Sequence, residues 1–185
     1  MTFLALDCLV YWQHRLFHRI PLLWRIHRVH HADGNLDVTS ALRFHPVEIV
    51  ISLAFKLAAV VLIGAPALAV IVFEIVLNGG ALFSHANFAL PSALDKTLRR
   101  VVVTPDFHRL HHSQSPKESN RNFGFFISWW DYLFCSYQAQ PGLGHVDMKI
   151  GLAEYSSLQQ ATRVDKMLAM PFIDTPAAAR EKESR

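Results

Sequence analysis

A chain of 185 residues is long enough for one domain with a core. With 51% hydrophobic and only 18% charged residues, against about 25% charged in an ordinary soluble domain, it points toward lipid, and a formal charge of +3 is too small to argue for a nucleic-acid partner. Two cysteines, Cys8 and Cys135, without CxxC spacing, exclude a cysteine zinc site or a disulfide framework and are expected to be buried thiols.

The opening MTFLALDCLVYWQH has no basic start and is interrupted by Asp7, so it does not read as a secretory signal. It begins abruptly inside a helical pattern, which predicts a longer parent protein with upstream membrane helices. Residues 3–18 read as a helix on which Asp7, Tyr11, His14 and His18 share one face by steps of four, three and four. Pro21 closes or bends that helix. In the next helical stretch, LLWRIHRVHHA, the same arithmetic puts His27, His30 and His31 on one side, and DGNLD follows as a loop.

The longest apolar region, residues 47–83, contains only Glu48, Lys56 and Glu74 as charges and GAP at 64–66. It reads either as a helical hairpin with its tip at GAP or as one long kinked helix, and turn residues this central favour the hairpin. Each arm of about 17 residues would cover roughly 25 Å, a little short of a ~30 Å hydrocarbon core. A hairpin returns both ends to one side of a membrane, bringing His45 close to His85 and all the histidine clusters to that side. Arg15, Arg19, Arg25, Arg28, Arg43, Lys96, Arg99, Arg100 and Arg109 flank the clusters. Short loops rich in Lys and Arg stay cytoplasmic, so the histidines are expected to face the cytoplasm.

Beyond the last cluster come a polar loop, SQSPKESNRNFG, an aromatic run suited to the membrane interface, WWDYLF, and a short amphipathic stretch, LQQATRVDKMLAMPF. The expected architecture is an all-α, multi-pass integral membrane helical bundle over residues 1–170. A polar tail, 171–185, is expected to be disordered.

The pattern HxxHH occurs twice, as HRVHH at His27, His30 and His31 and as HRLHH at His108, His111 and His112. Eleven histidines in 185 residues give three specified matches a probability of roughly 0.0002, or about 0.04 occurrences over ~180 starting points. Chance does not account for two. HRLFH adds His14 and His18 one helical turn apart, the HExxH spacing of zinc proteases, but Arg15 stands where the catalytic Glu would be. The three groups offer eight imidazoles, more than one ion can hold; imidazole suits iron, zinc, copper and nickel, and spacing alone does not choose among them. Protonated histidines lining a lipid headgroup surface would explain the polarity but not the repeated spacing. Asp7, on the face of His14 and His18, is placed to fix the tautomer of a ligand, and Asn87 to orient His85. His145, in GLGHVD, reads as a surface residue.

The segments YWQHRLFH, LWRIHRVHHADGNLDVTSALRFHPVE, FSHANF, TPDFHRLHHS, NRNFG and WWDYLF resemble, in order and spacing, the fatty acid hydroxylase and sterol desaturase superfamily of membrane di-iron oxygenases. The resemblance implies histidine boxes at His14 and His18, at His27, His30 and His31, and at His108, His111 and His112. It adds a further ligand at His85, and His45 in an FHP-type segment. It implies two iron ions, O2 as co-substrate, and hydroxylation or desaturation of a fatty acyl chain or sterol. It also implies a bacterial inner-membrane or ER location and an external electron donor of the cytochrome b5 or ferredoxin kind. One departure is LFCSY, with Cys135 and Ser136 where relatives usually have Gly-Thr. A zinc-dependent membrane hydrolase, a bis-histidine haem protein and a metal transporter are the competing readings.

Overall fold

The computed structural model describes residues 1–157 and 161–173. Among these the fold is helical, with no strand beyond two isolated bridges, Val102 with Ile127 and Ser113 with Ile150. Helix α1, Thr2–Arg19, stops at Ile20, because Pro21 occupies the first turn of α2, Pro21–His31, and can begin a helix but not continue one. A 3-10 turn, Val38–Leu42, is opened by a reciprocal cap between Asp37 and Ser40.

The hairpin expected from the apolar region is present. Its arms are α3, Pro46–Leu62, and α4, Ala67–His85, and its tip contains Gly64 at φ +61, a conformation that favours glycine. Helix α4 is the one described helix long and apolar enough to cross a membrane. Away from the rest of the fold the hairpin exposes an apolar face, including Val50, Val61, Leu62, Leu68 and Ile75. Its inner face packs on α1, where Leu6 and Val10 meet Phe73 and Leu77.

Four short helices follow: α5, Ser92–Leu98; α6, Pro105–His111; α7, Pro116–Ser119; and α8, Trp129–Leu133. Helix α6 starts with the Thr104 hydroxyl accepting from Phe107 N and with Pro105 in its first turn. Helices α9, Gly144–Asp147, and α10, Val164–Ala169, complete the described chain with a 3-10 turn at Met170–Phe172.

That last segment lies across α2 and the start of α3. Met170 is buried against Val29 and Ala32. Arg25 donates to Pro171 O, Arg28 to Met170 O and Ile173 O, and Arg43 to Val29 O and Ala161 O. Ordered packing thus continues through Ile173, past the expected start of the tail; residues 174–185 lie outside the described residues, as do 158–160 of the amphipathic stretch. The thiols also differ from expectation. Cys8 is half-buried and Cys135 exposed, the latter on a left-handed turn at φ +56 after α8.

Candidate metal centre

Nine histidines from four helices converge in two groups. His14 and His18 from α1, His27 and His31 from α2 and His111 from α6 form one. His30 from α2, His85 at the end of α4, and His108 and His112 at the end of α6 form the other. Within each group, one ring nitrogen per residue lies within 4.8 Å of all the others. Eight of the nine are buried and His18 is half-buried. The helical spacing explains the sharing. In each HxxHH motif the rings are about 100° apart per residue on one helix, so His31 turns to one group while His30 turns to the other, and His111 and His112 part in the same way.

The tautomers follow from the hydrogen bonds. His14 Nδ1 is 2.8 Å from Phe123 O, His111 Nδ1 2.8 Å from Arg121 O, and His85 Nδ1 2.8 Å from Ala81 O. Carbonyls accept only, so each Nδ1 carries the proton and each Nε2 keeps a lone pair. His27 Nδ1 lies 2.7 Å from Glu48 Oε1, and its Nε2 is buried without a partner. Burial, reinforced by the neighbouring imidazoles, holds His14, His30, His31, His108 and His112 well below the ordinary histidine range. His111 is lowered to about 3, chiefly by burial. These six rings are therefore neutral at physiological pH.

Neutral rings with bare Nε2 atoms have no proton to share, yet His111 Nε2 and His14 Nε2 are 3.0 Å apart. Ring nitrogens also meet between His18 and His31 at 3.1 Å, His30 and His85 at 3.2 Å, His85 and His108 at 3.1 Å and His108 and His112 at 3.2 Å. Nitrogens about 2.1 Å from one cation are separated by about 3.0–3.4 Å across octahedral and tetrahedral edges. The donor set fits a cation in each group.

One loop holds two of the rings. The segment Arg121–Phe123 supplies the carbonyls for His111 and His14 and is itself fixed by Asn122 and Asp131. Asn122, buried at φ 55, donates to Phe107 O and Gln138 O and accepts from Gln138 N. The Asp131 carboxylate accepts from Phe123 N at 2.8 Å, Gly124 N at 2.6 Å and Ser136 Oγ at 2.6 Å. A Cβ on Gly124 would lie 2.8 Å from Asp131 Oδ2, so the approach requires glycine. Ser136 also meets the Tyr11 hydroxyl at 2.8 Å, tying the loop to α1.

Three expected site residues stand elsewhere. His45 is the N-cap of α3: its Nδ1 accepts from Val47 N at 3.2 Å and its Nε2 contacts Leu168 O at 3.3 Å, outside both groups. Asp7 accepts from Trp130 Nε1 at 2.6 Å and Ile127 N at 3.3 Å, so it docks the WWDYLF segment instead of orienting an imidazole. Burial raises its pKa to about 6, those donors working against the rise. Asn87 is exposed beyond the end of α4, where Ala81 O has already taken the His85 proton. The carboxylate that does orient a ring, Glu48, was legible as a charge one turn into α3 beside FHP, but its partner is 21 residues away.

Next to the first group, between α1, α3 and α4, is a 150 Å³ cavity reached by His14, His27 and Glu48.

The fatty acid hydroxylase profile matches residues 1–136, which contain all nine converging histidines and the loop that orients His14 and His111. The chain belongs to the fatty acid hydroxylase family. Ornithine lipid hydroxylase OlsE of Rhizobium tropici is 31% identical over 141 residues, 76% of this chain and 42% of that protein. Alkylglycerol monooxygenase of Danio rerio is 28% identical over 140 residues, 74% and 30% of the two chains. Very-long-chain aldehyde decarbonylase GL1-4 of Oryza sativa subsp. japonica is 26% identical over 136 residues, 69% and 21%. This fatty acid hydroxylase family chain thus spans less than half the length of these relatives. No solved structure matches it.

Proposed function

We propose that this chain is the metal-bearing part of an O2-dependent di-iron membrane oxygenase that hydroxylates, or desaturates, a C–H bond of a lipid. The observation that carries the reading is the convergence of two buried sets of imidazole nitrogens, with the His14 and His111 lone pairs facing one another. Two irons would be held by His14, His18, His27, His31 and His111, and by His30, His85, His108 and His112. When bound, they supply the O2 activation that side chains lack. The protein's part is geometric. Phe123 O, Arg121 O and Glu48 fix ring orientation, burial keeps the ligands deprotonated, and the cavity at His14 and His27 gives an apolar chain a dry approach. The exposed apolar face of the hairpin suits insertion into a bilayer, with the histidines at its cytoplasmic edge and electrons arriving from a soluble or membrane-bound donor there. Hydroxylation is favoured, in keeping with the hydroxylase and monooxygenase relatives.

The test is metal analysis and oxygen uptake on the protein purified in mild detergent. About two irons per chain, with O2 consumed in the presence of lipid and a reductant, are expected. Zinc at stoichiometric level without oxygen uptake would replace this reading by the hydrolase.

A further inference from the structure

The cavity beside the first histidine group has a polar wall that metal binding does not explain. Glu48, Ser52 and Lys56 follow one another at steps of four on α3 and all line it, as does Gln13 from α1. Glu48 is tied to His27; Ser52 and Lys56 lie about 6 and about 12 Å further along the helix axis. Lys56 Nζ donates to both Glu74 carboxylate oxygens, at 2.6 and 2.9 Å, which leaves one of its three N–H groups. Gln13 Nε2 donates to Ser52 Oγ at 2.5 Å, which leaves the serine's own hydrogen to donate. Two donors therefore border a small cavity whose remaining wall is largely apolar, in the middle of a hairpin where ionisable groups are costly and usually functional.

We propose that Ser52 and Lys56 form a subsite for the ester or amide carbonyl of a neutral lipid, which sets the oxidised carbon close to that linkage. The proposal rests on the lipid-oxidising reading of the adjacent histidines. A carbonyl matches two donors and adds no charge. A carboxylate would place a second negative charge beside Glu74, which already balances Lys56, in an environment of low dielectric. The 150 Å³ volume is below the about 300–1,000 Å³ of a pocket that encloses a whole drug-sized ligand. It therefore takes the linkage and the few carbons beside it, while the remaining chain stays in lipid.

The test is binding of tritiated methyl palmitate, N-methylpalmitamide and palmitate to the full-length protein, for the native chain, Ser52→Ala, and the charge-balanced pair Lys56→Met with Glu74→Gln. The native chain should bind the ester and the amide at least tenfold more tightly than palmitate. Either variant should remove most of that difference while leaving palmitate within twofold. A preference between ester and amide identifies the linkage and upholds the subsite either way. Palmitate binding as tightly as the neutral lipids would overturn the proposal. So would an unchanged ranking in both variants, including one accompanied by a lowered melting temperature, which would make Lys56–Glu74 a clamp between helices. If the lipids bind as expected but iron-loaded protein consumes no O2 with them, the oxygenase reading fails and the subsite stands.

Discussion

His111 Nε2 faces His14 Nε2 at 3.0 Å although both rings carry their single proton on the opposite nitrogen. Two lone pairs at that separation repel, and a shared cation converts the repulsion into ligation. Removing either ring should therefore remove metal. His111→Ala is expected to lose at least half of the bound metal by elemental analysis, and His112→Ala likewise through the second group. His145→Ala, outside both groups, should retain it. Equal losses in all three would refute the grouping.

Glu48 accepts from His27 Nδ1 and thereby aims the bare Nε2. Carboxylates in this role commonly contribute a factor of about 10–100 in metal affinity. Glu48→Leu should weaken metal binding by that factor in chelator competition, while Glu48→Gln, which can still accept the proton, should fall between it and the native chain. Identical affinities for all three would show that the ring is aimed by packing alone.

The neutral histidines make stability depend on pH. For a histidine whose folded pKa lies below the ordinary 6.5, the unfolded chain binds more protons. Stability is then complete above 6.5 and is lost as pH falls through that value toward the folded pKa, about 3 for His111. Each such group contributes up to about 1.4 kcal/mol per pH unit in that window. The melting temperature in detergent should hold nearly level above about pH 7 and drop steeply from about pH 6.5 to about 4.5; a flat profile would mean the rings are charged or solvated.

Asp131 holds two backbone N–H groups and the Ser136 hydroxyl in a buried setting. Asp131→Ala leaves them unpaired and should destabilise the protein by about 2–4 kcal/mol. Metal loading should fall with it, because the loop carries the acceptors of His14 and His111. Normal loading in a destabilised variant would separate the loop from the site.

Cys135 sits at φ 56 where a side chain is strained. Cys135→Gly should relieve that strain and raise stability by up to about 1 kcal/mol, measured by thermal unfolding; a loss would show that the thiol packs usefully.

Periodicity made the histidine-bearing helices and the hairpin legible, because i, i+3 and i+4 spacing and central Gly-Pro turns are local signals. What surrounds the rings was not local. Phe123 O is 109 residues from His14, and a backbone carbonyl leaves no mark in composition. Asp7 and His45 misled for the same reason: a shared face or a neighbouring motif says where a side chain starts but not which distant partner claims it. The arginines read as topology signals carry a second role. Arg28 and Arg99 are buried, holding carbonyls of the C-terminal segment and Asp95 with Ala139 O respectively, so their positions record packing as well as membrane orientation.

The acceptors that orient His14 and His111 belong to the main chain of Phe123 and Arg121, not to their side chains. The buried Phe123 ring also packs against His14, His18 and His111, so its side chain steadies the same rings, and inserting or deleting one residue between 121 and 124 would misplace both acceptors at once. The loop is thus held both to its length and to its residues at Asn122, Phe123 and Gly124.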